Sequence, residues 1–337
     1  MPSVSNHPKV ECPPDLRAAL LFSQSEEGQP LAVTVIGATF RIEGNRVVPA
    51  EEPLEIKPGG EFWGEPGKSS YKLEPQVAFV KNSTDVVLLG HAYSLGRSSV
   101  DVAVHVGPLR QIATVTGDRY WIKSLGAISM TWAEPFERLP LIYERAFGGW
   151  DRSHPDEERH AFEPRNPLGT GFRSRRGRFE EGVRLPNIED SRNRLREYGD
   201  APPPAGFGFT CPDWQPRASF AGTYDEAWMN DRMPLLPLDF DRRFFNAASP
   251  GLVAPRHLNG DEPVFIENAS PGGTISFNLP GVPRPECRVQ LKGRRDERVE
   301  TNLDTVIINT DENLLMLVWR GYLPVKNGLQ DVLAVRI

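Results

Sequence analysis

The chain has 337 residues, of which 39% are hydrophobic and 25% charged, with a formal net charge of −6. That length and apolar content support a folded core, either one large β-sandwich or about two domains of roughly 150 residues each, and exclude a disordered chain. Thirty glycines and 32 prolines argue against an all-α protein, because both residues interrupt helices, and the mildly acidic balance makes nucleic acid a poor partner.

Cys12, Cys211 and Cys287 are odd in number and far apart, which fits neither a disulfide scaffold nor a zinc ribbon. The first nine residues lack the basic-then-apolar order of a secretory leader. The longest apolar runs, 31–40 and 86–96, fall short of the ~20 residues that span a bilayer. These features predict a cytoplasmic protein with no membrane partner.

Strands dominate the first stretch. Residues 31–42 are rich in β-branched side chains and end at a turn around Gly44. Segments 77–80, 86–93 and 100–106 follow at short spacing. In the last of these Val100, Val102, Val104 and Val106 alternate with Asp101 and His105, the pattern of a half-buried antiparallel strand. Residues 112–115 and 120–122 read as two strands around a Gly117-Asp118 turn. The texture changes at residue 147: Gly148-Gly149, Pro155, Pro164, Pro167, Gly169, Gly171 and Pro202-Pro203-Pro204 break every periodicity up to about residue 216. Further on, Thr223-Tyr224-Asp225-Glu226 fits a capping box ahead of a helix to about Arg232. Asp239 can cap a second helix through Ala247. Strands return over 264–266, 274–279, 288–291, 305–309, 314–319 and 332–337. The predicted fold is mainly β, an antiparallel sandwich (one large or two small) with a loop-rich Gly/Pro insertion and a few short helices. Its segments are 1–146 (β-rich), 147–216 (insertion) and 217–337 (two short helices, then strands).

Residues 60–69 imitate a phosphate loop but fail its spacing, and no helix follows. His154 and His160, beside Asp156, Glu157 and Glu158, match no metal-ligand spacing, and His91 and His105 lie within strands. No catalytic, metal or cofactor residue is assigned. Two chemistries remain as alternatives. Asp225, Glu226, Asp239 and Asp241 offer carboxylates for a carbohydrate-active sandwich, which needs two of them facing across a cleft. Trp150, Trp214 and Trp228 offer stacking platforms for a carbohydrate-binding one. The favoured feature is different. Between Arg152 and Arg196 stand eleven arginines and no lysine, and planar, bidentate guanidinium groups suit protein interfaces. Trp150, Arg173, Arg175, Arg176 and Arg178 are therefore the candidate partner-binding residues. The competing reading is that residues 147–150 anchor the insertion while the arginine run is merely solvated.

A series of strings in fixed order carries a resemblance. It includes Gly117-Asp118-Arg119-Tyr120-Trp121, residues 140–151 from Pro140 through Phe147-Gly148-Gly149-Trp150-Asp151, and Arg165-Asn166-Pro167-Leu168-Gly169. Leu185-Pro186-Asn187-Ile188-Glu189, Trp214-Gln215-Pro216-Arg217, residues 221–228 and residues 234–241 follow. From about Leu16 onward the chain resembles the bacterial domain-of-unknown-function family 2169. The resemblance implies an accessory protein of the type VI secretion system. Its role would be a non-enzymatic adaptor or chaperone that binds an effector, or a PAAR- or VgrG-type spike protein, and aids its loading. No catalytic residues come with it.

Overall fold

Two large sheets carry the architecture of the computed structural model, which describes residues 8–175 and 177–337; residues 1–7, read above for a leader, and Arg176 lie outside the described residues. The strands that build these sheets are β1 (Leu16–Gln24), β2 (Pro30–Glu43), β3 (Arg46–Pro49), β4 (Asp85–Leu89), β5 (Ser99–Val106), β6 (Leu109–Thr116), β7 (Ile188–Asp190), β8 (Pro263–Glu267), β9 (Thr274–Asn278), β10 (Asn302–Asn309) and β11 (Leu314–Pro324). The first sheet runs β1-β2-β11-β10-β4, with β3 paired to the end of β2, and the second runs β7-β6-β5-β8-β9. Lys9–Glu11, Val332–Arg336, Cys287–Leu291 and Glu297–Val299 form a further four-stranded sheet, whose Cys287, Val289 and Val335 join the same core as those two sheets.

The fold is mainly β, as expected. Val100, Val102, Val104 and Val106 are all buried while Asp101 is exposed, so the alternation in β5 points as it reads. Buried side chains of both large sheets, Val35, Val86 and Leu317 in one and Val104, Ala113 and Ile266 in the other, belong to a single contiguous core. Strands from the two ends of the chain interleave within it: β10 and β11 sit between β2 and β4, and β8 pairs with β5.

Five local expectations are corrected. β4 runs parallel to β10, so the first sheet is mixed rather than purely antiparallel. Residues 77–80 form no strand: Phe79 is wedged edge-on against Phe245 and Tyr322, and the Ala78 carbonyl accepts from Arg320. Gly117-Asp118 is not a hairpin turn. The turns lie instead at Gly107, between β5 and β6, and at Leu125-Gly126, where both residues have positive φ (51° and 82°) as a two-residue hairpin loop requires. Gly117 is needed for close approach, since a Cβ there would lie 1.9 Å from the Glu134 carbonyl oxygen. The one α-helix among the described residues, α1 (Glu226–Asp231), is capped by Asp225, which accepts from the Trp228 amide at 2.8 Å; Thr223 donates its hydroxyl to Asp239 instead. The second helix is only the 3₁₀ turn Arg242–Phe245, capped by Asp241 rather than Asp239.

Beneath the first sheet lies a buried ionic cluster. The Lys81 ammonium, with no exposed surface, donates to Glu74, to Asp85 at 2.8 Å and to the Thr305 hydroxyl at 3.1 Å. Arg320 pairs with Asp304 and donates to the Ala78 carbonyl at 2.8 Å and to Gln76 at 2.6 Å. Burial alone would depress the lysine, but the charges of Asp85 and Glu74 outweigh it and leave the ammonium well above its ordinary value. Glu74 shifts upward, chiefly because it is buried, with the neighbouring Asp85 charge adding to the shift. Lys81→Met would strand both carboxylates, and removing one member of a buried ion pair costs about 3–5 kcal/mol. The variant should therefore unfold at much lower urea than wild type, while Lys123→Met, at an exposed position, should stay within about 0.5 kcal/mol of it.

Candidate functional site

The insertion is built, not loose. Asn166 donates its side-chain amide to the Tyr143 carbonyl at 2.8 Å and the Phe147 carbonyl at 3.1 Å. A Cβ on Gly148, where φ is 152°, would lie 2.1 Å from the Asn166 carbonyl oxygen, so the chain must have glycine at this crossing. Two of the sequence strings, about 70 residues apart, meet here. Asn187 donates to Asp118 at 2.9 Å and to the Thr116 carbonyl, Arg184 also donates to Asp118, and Arg119 pairs with Glu189. These contacts clamp the insertion to the end of β6.

Around this clamp a second, smaller core has formed. Trp121, Phe147, Leu185 and Leu195 are buried in it, with Met130, Phe172, Phe179, Val183 and Tyr198 packed against them. Phe147 is thus the anchor that the competing reading expects. Trp150 points outward, 46% exposed, stacked on Phe162 with ring centroids 4.6 Å apart and capped by the Arg152 guanidinium at 5.0 Å.

The arginine run divides. Arg173 is half-buried and paired with both Asp151 (3.2 Å) and Glu180 (3.3 Å), so its charge is matched within the protein and it braces the loop. Arg175 and Arg178 are exposed, and Arg176 lies outside the described residues. The loop is organised by Asp151, which accepts from the amides of Ser153 (3.0 Å) and Ser174 (2.8 Å) as well as from Arg173. The Ser153 hydroxyl in turn accepts from the Arg178 amide at 2.8 Å. Burial would raise the Asp151 carboxyl, but these hydrogen bonds and the Arg173 charge outweigh it and hold it below the ordinary 3.8.

A ribbon of the same module adds residues that the sequence did not single out. Trp121–Ser124 and Ala127–Met130 form a hairpin joined to the insertion through the Trp121 and Gly182 amides. At its tip Leu125 is fully exposed, Ile128 on the second strand is partly exposed, and Trp132, beyond the end of that strand away from the tip, is 96% exposed. Thr131 donates its amide to the Tyr120 carbonyl, so hydrogen-bonded pairs alternate along the ribbon and the backbone groups of Ile128 and Met130 turn toward its outer edge. A groove of about 570 Å³ runs between that edge and Arg196, Glu197 and Tyr198. A tryptophan in a polar stretch between Met130 and Pro135 was the available signal for this surface.

Several residues of the carbohydrate readings are taken up in local contacts. Asp225 and Asp241 cap local turns, and Asp239 accepts from the Thr223 amide and hydroxyl. Trp214 is buried edge-on against Tyr143 at 5.2 Å, and Trp228 donates its indole N–H to the Leu235 carbonyl, so no platform of three exposed rings forms. His91 pairs with Asp311 at 2.6 Å, and the His154 ring accepts from the Asp156 amide within its own loop.

A cavity of about 560 Å³ opens where the insertion meets the loops after α1. Tyr143, Arg165, Pro203, Gln215, Arg217 and Phe220 are among its lining residues. Arg217 belongs to the string Trp214-Gln215-Pro216-Arg217, which pattern alone left without a role. The nearby Cys211 thiol is pushed up to about 12 by burial and stays protonated at neutral pH.

Fold and site together define a mainly β protein whose loops build an ordered satellite module on one core. The family described as "uncharacterized protein conserved in bacteria (DUF2169)" matches residues 27–320, and the chain belongs to it. No curated protein and no solved structure matches. Among the described residues no helix is long and apolar enough to cross a membrane.

Asp151→Asn should loosen the loop from Arg173 to Arg178 without unfolding the sheets. The amides of Ser153, Ser174 and Arg178 should exchange with solvent at least tenfold faster by NMR, those of β5 unchanged. Because the folded carboxyl lies below its unfolded value, its contribution is present above about pH 3.8 and is lost only as pH falls through the lower folded value. Wild-type protection of these amides should accordingly persist from neutral pH down to that region.

Proposed function

We propose that this protein is a non-enzymatic adaptor or chaperone that binds a type VI secretion effector or a PAAR- or VgrG-type spike protein in the cytoplasm and aids its loading. The observation that carries the reading is the ribbon of the satellite module. Leu125, Ile128 and Trp132 stand in solvent on an ordered scaffold beside an open strand edge. Exposed apolar side chains gathered within eight residues are costly to leave uncovered, and tryptophan is prominent among interface hot spots. An open edge accepts an extended segment of another chain through main-chain hydrogen bonds, with the flanking side chains supplying selectivity. Trp150, Arg175 and Arg178 belong to the same module, so the arginines can pair with acidic groups on a partner docked at the ribbon. Family membership supports the reading through the resemblance from which the expectation came.

The test is capture of the effector or spike protein from a native lysate by tagged wild type and variants. Trp132→Ala combined with Leu125→Asp should reduce capture at least tenfold while the urea midpoint stays at the wild-type value. Arg175→Ala with Arg178→Ala should weaken capture less and flatten its dependence on salt, and Trp150→Ala should act in the same direction. Undiminished capture by the ribbon variant would remove the ribbon as the docking surface. Failure of wild type to retain either class of protein would remove the adaptor reading itself.

A further inference from the structure

The side chain of Arg217 is out of balance with its surroundings. It is only 7% exposed, yet no Asp or Glu oxygen among the described residues comes within ion-pair distance. Its Nε donates to the Phe244 carbonyl at 2.8 Å and its Nη1 to the Thr210 carbonyl at 2.6 Å, and the guanidinium lies 5.4 Å from the centre of the Phe244 ring. Glu74 senses the Arg217 charge from further off, but that carboxylate is already engaged by Lys81. Buried arginines are normally paired, because carbonyl dipoles alone do not neutralise a charge removed from water. The remaining nitrogen, Nη2, has no hydrogen-bond partner among the described residues, and the side chain lines the 560 Å³ cavity.

The other charges at this cavity are already matched. Arg165 is held bidentately by Glu163 at 2.6 and 2.7 Å, and Arg243 pairs with Asp241 while stacking 4.3 Å over Phe220. The uncompensated charge is therefore a single positive one, at Arg217. Most of the remaining wall is apolar, supplied by prolines 203, 204, 216, 250 and 255 with Phe220, Ala248 and Val253. The amides of Asn82 and Gln215 also line it. The volume lies in the about 300–1,000 Å³ range of pockets that hold small ligands, and apolar walls with a few converging polar groups are their usual composition.

We propose that this cavity is a binding site for a carboxylate carried on an apolar body, with Arg217 as the counter-ion. Two of the three guanidinium nitrogens, Nε and Nη1, are fixed by the two carbonyls, so the group is pre-oriented and a carboxylate reaching Nη2 meets a charge that is already largely desolvated. Prolines lose little freedom when a ligand packs on them, which suits a site that takes an apolar body without rearranging. The carboxylate can belong to a free acid or to the C-terminus of a peptide. The inference goes beyond the adaptor reading and does not depend on the ribbon.

The test uses the purified full chain and three probes: the peptide acetyl-Ala-Pro-Leu-Phe with a free C-terminus, the same peptide as its C-terminal amide, and 4-phenylbutyrate. Titration calorimetry should show that a carboxylate probe binds and that converting the acid to the amide weakens binding at least tenfold. Binding of the peptide assigns the site to chain ends, and binding of 4-phenylbutyrate alone assigns it to free acids. Arg217→Gln should abolish the preference for acid over amide, and Arg217→Lys should restore part of it. Because Arg217 also braces two loops, a second variant, Gln215→Trp, fills the cavity from an exposed position and should reduce binding at least tenfold at an unchanged urea midpoint. Equal binding of acid and amide, no binding of any probe up to 10 mM, or full binding by a folded Gln215→Trp variant would overturn the proposal.

Discussion

The Lys81 ammonium ties together parts of the chain that are far apart in sequence. Its three acceptors come from the loop before β4, from β4 itself and from β10, more than 200 residues away. Asp85 passes the constraint on, accepting from the Asn246 side chain at 3.0 Å and the Ala247 amide at 2.8 Å. The segment after α1 is thereby fixed to the first sheet. A charge buried this deeply is tolerable only while every partner is in place, so the cluster favours one arrangement of these strands over near alternatives. Asp85 and Thr305, both bound to Lys81, also lie opposite one another where β4 pairs in parallel with β10.

The cavity depends on that arrangement. Asn246, held by Asp85 and by the Ser83 carbonyl, is itself part of the cavity wall. Arg217 reaches the cavity because Phe244 and Thr210 present their carbonyls to it, and the Thr210 amide and hydroxyl are bound to the Ala247 carbonyl next to Asn246. The satellite module is fixed separately, through Asp118, Arg119, Asn187 and Glu189 at the end of β6. The protein therefore has one rigid scaffold and two independently anchored sets of loops. Loops presented in this way can carry binding residues without costing the core its stability.

The polar groups of the insertion show how a Gly/Pro-rich segment is ordered without regular structure. Backbone amides that would pair in a helix or sheet find carboxylates instead, at Asp151, Glu163 and Glu189, while backbone carbonyls accept from the Asn166 side-chain amide. Arg173 belongs to this internal accounting. The residue type and the local density of arginine made it look like a contact for a partner, but a guanidinium is equally suited to bracing a loop from within.

Alternation in β5, the β-branched run of β2 and the strands after residue 263 were legible in the sequence, because side-chain period and turn chemistry are properties of neighbouring residues. So was the existence of a loop-built middle, since Gly and Pro act on their own backbone. The helix after Thr223 was legible as well, although its capping residue was not: Thr223, Asp225 and Glu226 all offer an oxygen near the same orphan amides, and the position of Asp239 decided among them. Which strands are neighbours, which arginines face inward and where a cavity opens depend on groups 27 to more than 200 residues apart. Arg119 with Glu189, Lys81 with Thr305 and Arg217 with Phe244 are contacts of this kind. No periodicity records them, because the energy of a buried charge depends on what surrounds it in space, and only the tertiary structure decides that.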